Sequence, residues 1–169
     1  MAASKLPIKE GEGFMQKKSL LPALLFCVIH ITPLYPASVS FLVIETGLPR
    51  ESPTNQYTIT WENTLLDVFF ESGHIVTNSP ILRLTQKPED GFPNVAERDF
   101  EEARDGRMDY FLVAIVNYPA PRNVSLRLFR TNSQELVMEH TYTDRTYRTG
   151  REEQDAIINA VMTFAGRVR

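Results

Sequence analysis

"MDYFLVAIVNYPAPRNVSLRLFRTNSQELVMEHTYT", residues 108–143, decides the fold. Its opening run, Met108 to Tyr118, is the most hydrophobic segment after residue 40 and reads as a central strand. "PAPR" (119–122) turns the chain, and "NVSLRLFR" (123–130) sets apolar residues among polar ones, the pattern of a half-buried strand. "TNSQ" turns it again, and "ELVMEHTYT" (135–143) completes a hairpin. Three successive strands joined by short turns form an antiparallel meander built onto a central strand.

Upstream the pattern changes period. "VSFLVIET" (39–46) is β-branched and aromatic, ends at Gly47, and reads as a mostly buried first strand. A loop with two prolines, Gly and Asn follows. Trp61, Leu65, Val68 and Phe69 then recur at i, i+4, i+7 and i+8, one face of a helix stopped at Gly73. "HIVTNSPILRLT" (74–85) has strand propensity broken at Pro80, and "QKPEDGFPN" is rich in turn formers. In a second helix Asn94 stands at the N-cap, Ala96, Phe100 and Ala103 share a face, and Gly106 closes it. After the meander, Thr149 and Glu152 form a capping box, and Ile157, Val161 and Phe164 line one side of a last helix. The order β-α-β-α-β-β-β-α predicts a single-domain α/β (α+β) fold. Its mixed sheet has about five strands, the first three parallel through right-handed crossovers.

The 169 residues are 43% hydrophobic and 10% aromatic, enough for one packed core. Formal charge is −3, unevenly spread: residues 1–38 carry +2, and 39–169 hold fourteen basic against nineteen acidic residues. An acidic body excludes non-specific nucleic-acid binding, which requires neutralised phosphates.

The N-terminal segment reads as an address. "MQKKS" precedes the apolar "LLPALLFCVIH" (20–30), and small residues follow at "PASVS", the layout of a secretory signal peptide over 15–40. Ser38 and Ser40 have the spacing that cleavage needs; Ala37 is a poorer option because Tyr35 precedes it by two. Counted from Met15 the basic region has ordinary proportions, so residues 1–14 read as a start-site overrun. The domain proper is then 41–169. Phe26 and the continuing apolar run argue against lipidation of Cys27, which needs a small residue just before it. With Cys27 removed, disulfides, thiolate catalysis and cysteine-bound metals are excluded together. Pro22, Pro33, Pro36 and His30 interrupt the segment as a membrane span, although an uncleaved anchor over 19–38 remains the alternative.

No GxSxG, P-loop or GxGxxG is present. His74 stands alone at a helix-to-strand junction, and His140 alternates with Met138 and Tyr142 along one strand face. Two histidines without cysteine do not make a structural zinc site. The carboxylates of "EEARD" (101–105) and "REEQD" (151–155) fall where acids ordinarily serve helix dipole and solubility. "NVS" (123–125) is a glycosylation sequon only in a eukaryotic secretory route. No catalytic, cofactor or metal residue is therefore assigned. The loop "YTDRTYRTGR" (142–151) combines the residue types that interface hot spots favour, and Tyr142, Arg145, Tyr147 and Arg148 are the candidate partner-binding residues.

The residues from "FEEARDGRMDYFLVAIVNYP" through "NVSLRLFRTNSQELVMEHTYT" to "EEQDAIINAVMTFAGRV" resemble the second half of an envelope domain shared by the TolB N-terminal domain, LpoB and CsgG-type proteins. "SFLVIETGL" and "LLDVFFESGHIVTNS" fill its first half, with Gly73 at the family's glycine. "TNSQE" departs from that group at the hairpin turn, as does the end of the first strand. The resemblance implies a non-enzymatic module that binds other envelope proteins, and it transfers no binding residue. The expectation is an exported, periplasmic or membrane-associated bacterial accessory protein without cofactor, whose partner is another envelope protein. A hydrolase-like reading around His74 stays open, as does oligomeric state.

Overall fold

The computed structural model describes residues 36–49, 51–143, 145 and 147–168. The start-site overrun at 1–14, Cys27 and most of the expected signal segment lie outside the described residues.

Strand β1 (Ser38–Thr46) is followed by helix α1 (Gln56–Glu71), β2 (Ile75–Asn78), β3 (Leu82–Leu84) and α2 (Glu97–Asp105). Then come β4 (Tyr110–Asn117), β5 (Asn123–Arg130), β6 (Leu136–Thr143) and α3 (Gly150–Ala165). The sheet runs β2-β1-β4-β5-β6, with β3 also on β1. β1 pairs in parallel with β2, β3 and β4, while β4–β5 and β5–β6 are antiparallel. The segment around Pro80 makes two strands rather than one. β2 pairs with Ser38–Phe41 and β3 with Ile44–Thr46, so the proline falls where no ladder bond is required.

β1 and β4 are buried along nearly their whole length because both sheet faces are covered. On one face α1 and α3 pack with Trp61, Leu65, Phe69, Val161 and Phe164 against Val39, Phe41, Leu112 and Leu126. Each such side chain contributes about 1.5–3 kcal/mol of burial. On the other, Phe100 and Ala103 of α2 meet Leu42, Phe111, Val113 and Phe129. Asn55 caps α1, its Oδ1 accepting from Tyr57 N at 3.0 Å, and Thr149 caps α3 by accepting from Glu152 N at 3.2 Å. α2 differs from expectation: Asn94 opens a single 3₁₀ turn (Asn94–Ala96), and α2 itself has no side-chain cap.

β5 also differs. It is not half-buried, since Ser125 and Arg127 are as enclosed as Val124 and Leu126. Arg127 Nη1 donates to the carbonyls of Glu89 (3.2 Å) and Gly91 (2.8 Å), and its Nε donates to Glu139 at 2.7 Å. The guanidinium thereby draws the loop before α2 over the polar side of β5.

Candidate partner-binding groove

Among the described residues β6 is an edge strand bonded only to β5, and five of its eight residues are exposed. On the α1/α3 side its register places Met138, His140 and Tyr142 opposite Leu128, Leu126 and Val124. Met138 and Tyr142 are half-buried and His140 is exposed.

The first turns of α1 bring Tyr57 and Trp61 to the same place. Tyr57 meets Trp61 edge-on at 6.3 Å, Trp61 meets Tyr142 at 6.1 Å, and Tyr142 meets His140 at 4.4 Å between ring centroids. Tyr142 is fixed by a hydroxyl bond to the Ala160 carbonyl at 3.3 Å, and burial pushes its phenol above its ordinary pKa. The indole N–H of Trp61 is buried without an acceptor. Between these rings, Arg145, Tyr147 and the α3 residues Ile157 and Ala160 lies a cavity of about 520 Å³, within the size range of ligand sites.

Arg145 and Tyr147 also border a second depression, shared with Arg122, Arg148, Gly150 and Glu153. Arg122 lies 3.7 Å from the centre of the Tyr57 ring and donates to Glu153 at 3.2 Å. Arg145 and Arg148 are exposed and form no ion pair among the described residues. The arrangement joins an aromatic hollow to a cationic shelf.

A second polar cluster sits at the carboxyl end of β1, where open α/β sheets commonly bind ligands. Glu45 is fully buried. Its Oε1 accepts from Asn55 N (3.0 Å) and the Thr58 hydroxyl (2.9 Å), and its Oε2 meets Arg83 Nε at 2.8 Å. Arg83 reaches on to the Ser52 carbonyl and to Thr54 Oγ1, and Thr58 Oγ1 lies 2.8 Å from the Tyr118 hydroxyl. Burial raises the Tyr118 pKa, opposed by the Thr58 bond and reinforced by the Glu45 charge. Both carboxylate oxygens are engaged within the fold, so the cluster ties α1 and β3 to β1.

Of the four residues that the sequence nominated, the structure gathers Tyr142, Arg145 and Tyr147 around one cavity and sets Arg148 on the adjoining shelf. Tyr57 and Trp61 complete the wall and were not nominated, although their spacing of four residues already placed them on one side of α1. His74 packs 6.0 Å from Phe69, with Nδ1 buried and unpartnered. Among the described residues, no group of three His, Cys, Asp or Glu could hold a metal ion. Of the acids in the two helix runs, Glu101 pairs with Arg104, Glu102 with Arg98 at 3.4 Å and Glu153 with Arg122, while Glu152 accepts from Arg148 N at 2.8 Å.

Among the described residues, three α-helices on a six-stranded mixed sheet, with an aromatic and arginine-lined groove beside one edge, define a small α+β domain. The chain belongs to a family described as "Uncharacterised protein", whose model matches residues 39–145. No curated protein matches it. Among solved structures it is similar in fold to the PelC dodecamer from Paraburkholderia phytofirmans, at 16% identity and a TM-score of 0.53. That alignment covers 79% of this chain and 89% of the other. TolB from Acinetobacter baumannii matches at 10% identity and a TM-score of 0.44, over 79% of this chain and 27% of TolB. The LpoB C-terminal domain from Escherichia coli matches at 12% identity and 0.40, over 63% and 82%. The group to which the apolar spacing pointed is thus represented among the similar structures. Among the described residues, no helix is long and apolar enough to cross a membrane.

Proposed function

We propose that this chain is an exported bacterial envelope protein, periplasmic or peripherally attached to a membrane, which binds another envelope protein and performs no catalysis. The observation that carries this reading is the groove beside β6. It gathers Tyr, Trp and Arg, the side chains that dominate binding energy at interfaces, around a hollow at a sheet edge that no strand of the described residues pairs. The basic, apolar and small-residue order of residues 15–40 supports export. The sequence resemblance to the envelope domain of the TolB N-terminal, LpoB and CsgG-type group agrees with that setting.

One observation favours the second reading, the same domain held by an uncleaved segment 19–38. Small-residue spacing directs cleavage to Ser40, yet Val39 is fully buried and Ser38 bonds Asp109 Oδ2 through both N and Oγ at 2.8 Å. Cleavage there would remove the first three residues of β1. N-terminal sequencing of the protein in fractionated envelopes separates the two forms.

The binding role is tested by placing a photo-crosslinking amino acid at Tyr142 in living cells, with Arg98 on α2 as the control position. The expected outcome is a discrete adduct with an envelope protein from position 142 and none from 98. Equal labelling from both positions, or adducts with cytoplasmic proteins alone, would refute the reading.

A further inference from the structure

We infer that the groove takes an acidic peptide segment in which a carboxylate side chain neighbours a Phe, Tyr or large aliphatic one. This rests on the protein-binding reading above and specifies the chemistry of its partner. Two contiguous depressions share Arg145 and Tyr147 as their common wall, so one ligand can occupy both. The first is floored by Trp61 and Tyr142 and admits one large apolar side chain, held edge-on or tilted against rings. The second carries the guanidinium groups of Arg145 and Arg148 at the start of α3, where N–H groups and the helix dipole also favour negative charge.

Charge sets this corner apart from the rest of the molecule. Residues 39–169 carry a net −5, and a random surface of that body would repel an acidic partner. Among the described residues, Glu153 is the one acid that lines the second depression, and it pairs with Arg122; the neighbouring Glu152 Oε2 accepts from Arg148 N at 2.8 Å. Arg145 and Arg148, both exposed, line that depression and form no ion pair among the described residues. A cationic or neutral peptide would meet arginines without compensation, and a purely acidic one would leave the aromatic hollow unfilled.

Trp61 is the chain's single tryptophan, so its emission reports on this cavity alone. The purified full-length protein is titrated with the peptide GSDFDFDFSG, with the Asp→Asn peptide, and with the Phe→Ala peptide. The expected result is a saturable change in Trp61 emission with the first peptide. Affinity falls about tenfold or more for each altered peptide, the size expected for two exposed ion pairs or one buried ring. It also weakens as salt is raised. Arg145→Ala/Arg148→Ala reproduces the loss for the acidic peptide, while Arg98→Ala on α2 leaves binding unchanged. Equal binding of the Asp and Asn peptides, indifference to the arginine pair, or no saturable change would overturn the inference. Crosslinking from Tyr142 in cells alongside absent peptide binding refutes the acidic-aromatic chemistry while sparing the protein-binding role. Absent crosslinking refutes that role as well.

Discussion

Replacing Arg83 by Met separates a buried charge from its counter-ion, and the structure fixes how much that costs. Glu45 is wholly enclosed and would keep only the Asn55 N–H and the Thr58 hydroxyl as donors. Deleting one partner of a buried pair costs about 3–5 kcal/mol. The Arg83 side chain is 16% exposed, and the loop carbonyl it releases can reach water, so the expected value lies at the lower end. The companion variant Glu45→Leu/Arg83→Met removes both charges. It leaves one backbone N–H at Asn55 short of an acceptor, for about 1–3 kcal/mol, while Thr58 retains Tyr118. The double variant is therefore no less stable than Arg83→Met alone, and the cycle yields a coupling of about 2–3 kcal/mol. Urea unfolding followed by Trp61 emission and by circular dichroism measures this. With a slope of about 1–3 kcal/mol per molar urea, Arg83→Met lowers the midpoint by roughly 1–3 M. Additive single variants, or an Arg83→Met protein within about 1 kcal/mol of the wild type, would refute the picture of Glu45 as a carboxylate neutralised by Arg83.

Gly47 and Gly73 both have positive φ, +81° and +85°, but a Cβ at Gly47 would sit 2.3 Å from Pro119 Cδ and one at Gly73 meets open space. Gly47→Ala is expected to destabilise by about 2–4 kcal/mol and Gly73→Ala by about 1, readable as separate thermal midpoints; equal midpoints would show that the β1–β4 end relaxes freely. Tyr118 and Tyr142 both have phenols raised by burial. A neutral acid with a raised folded pKa lends its full stability below the ordinary phenol range and loses it as pH climbs through the raised value. Stability should thus fall above about pH 10, and Tyr118→Phe or Tyr142→Phe should blunt the fall; curves unchanged by both would count against burial of the two hydroxyls. A chain beginning at Phe41 loses Val39 and the Ser38–Asp109 bonds. It should be at least about 3 kcal/mol less stable than one beginning at Ser38, with equal stability by urea titration refuting any requirement for the complete strand.

The fold was legible because its elements obey simple periods. β4 and the hairpin alternate or run apolar, α1 and α3 hold to helical spacing, and Thr149 announces its cap. What stayed hidden depends on pairs distant in sequence. Arg127 looked like the solvent side of a half-buried strand, since nothing in "NVSLRLFR" tells that residues 89–91 fold over it with their carbonyls turned inward. Glu45 sits near the end of a mostly buried strand, and nothing local shows its counter-ion, because Arg83, thirty-eight residues later, is brought beside it by β3. Pro80 marked a break but not its consequence, because only the length of β1 allows two short strands to share one edge.

The groove was half legible for the same physical reason. Tyr142, Arg145, Tyr147 and Arg148 fall within seven consecutive residues, so a local composition rich in Tyr and Arg exposes them. Tyr57 and Trp61 reach the same cavity only because α1 and α3 pack side by side across the sheet, which brings the first turns of α1 against the far end of β6. Trp61 therefore has two duties that pull against each other. As a core residue, 2% exposed, it anchors α1 among Leu65 and Val161; as a wall of the cavity, it keeps an indole N–H without an acceptor. A Phe at this position would fill the core at no cost in unpaired polar groups. Trp61→Phe removes that unpaired donor and trims the ring that lines the cavity, and it is the substitution that sets stability against binding at this groove.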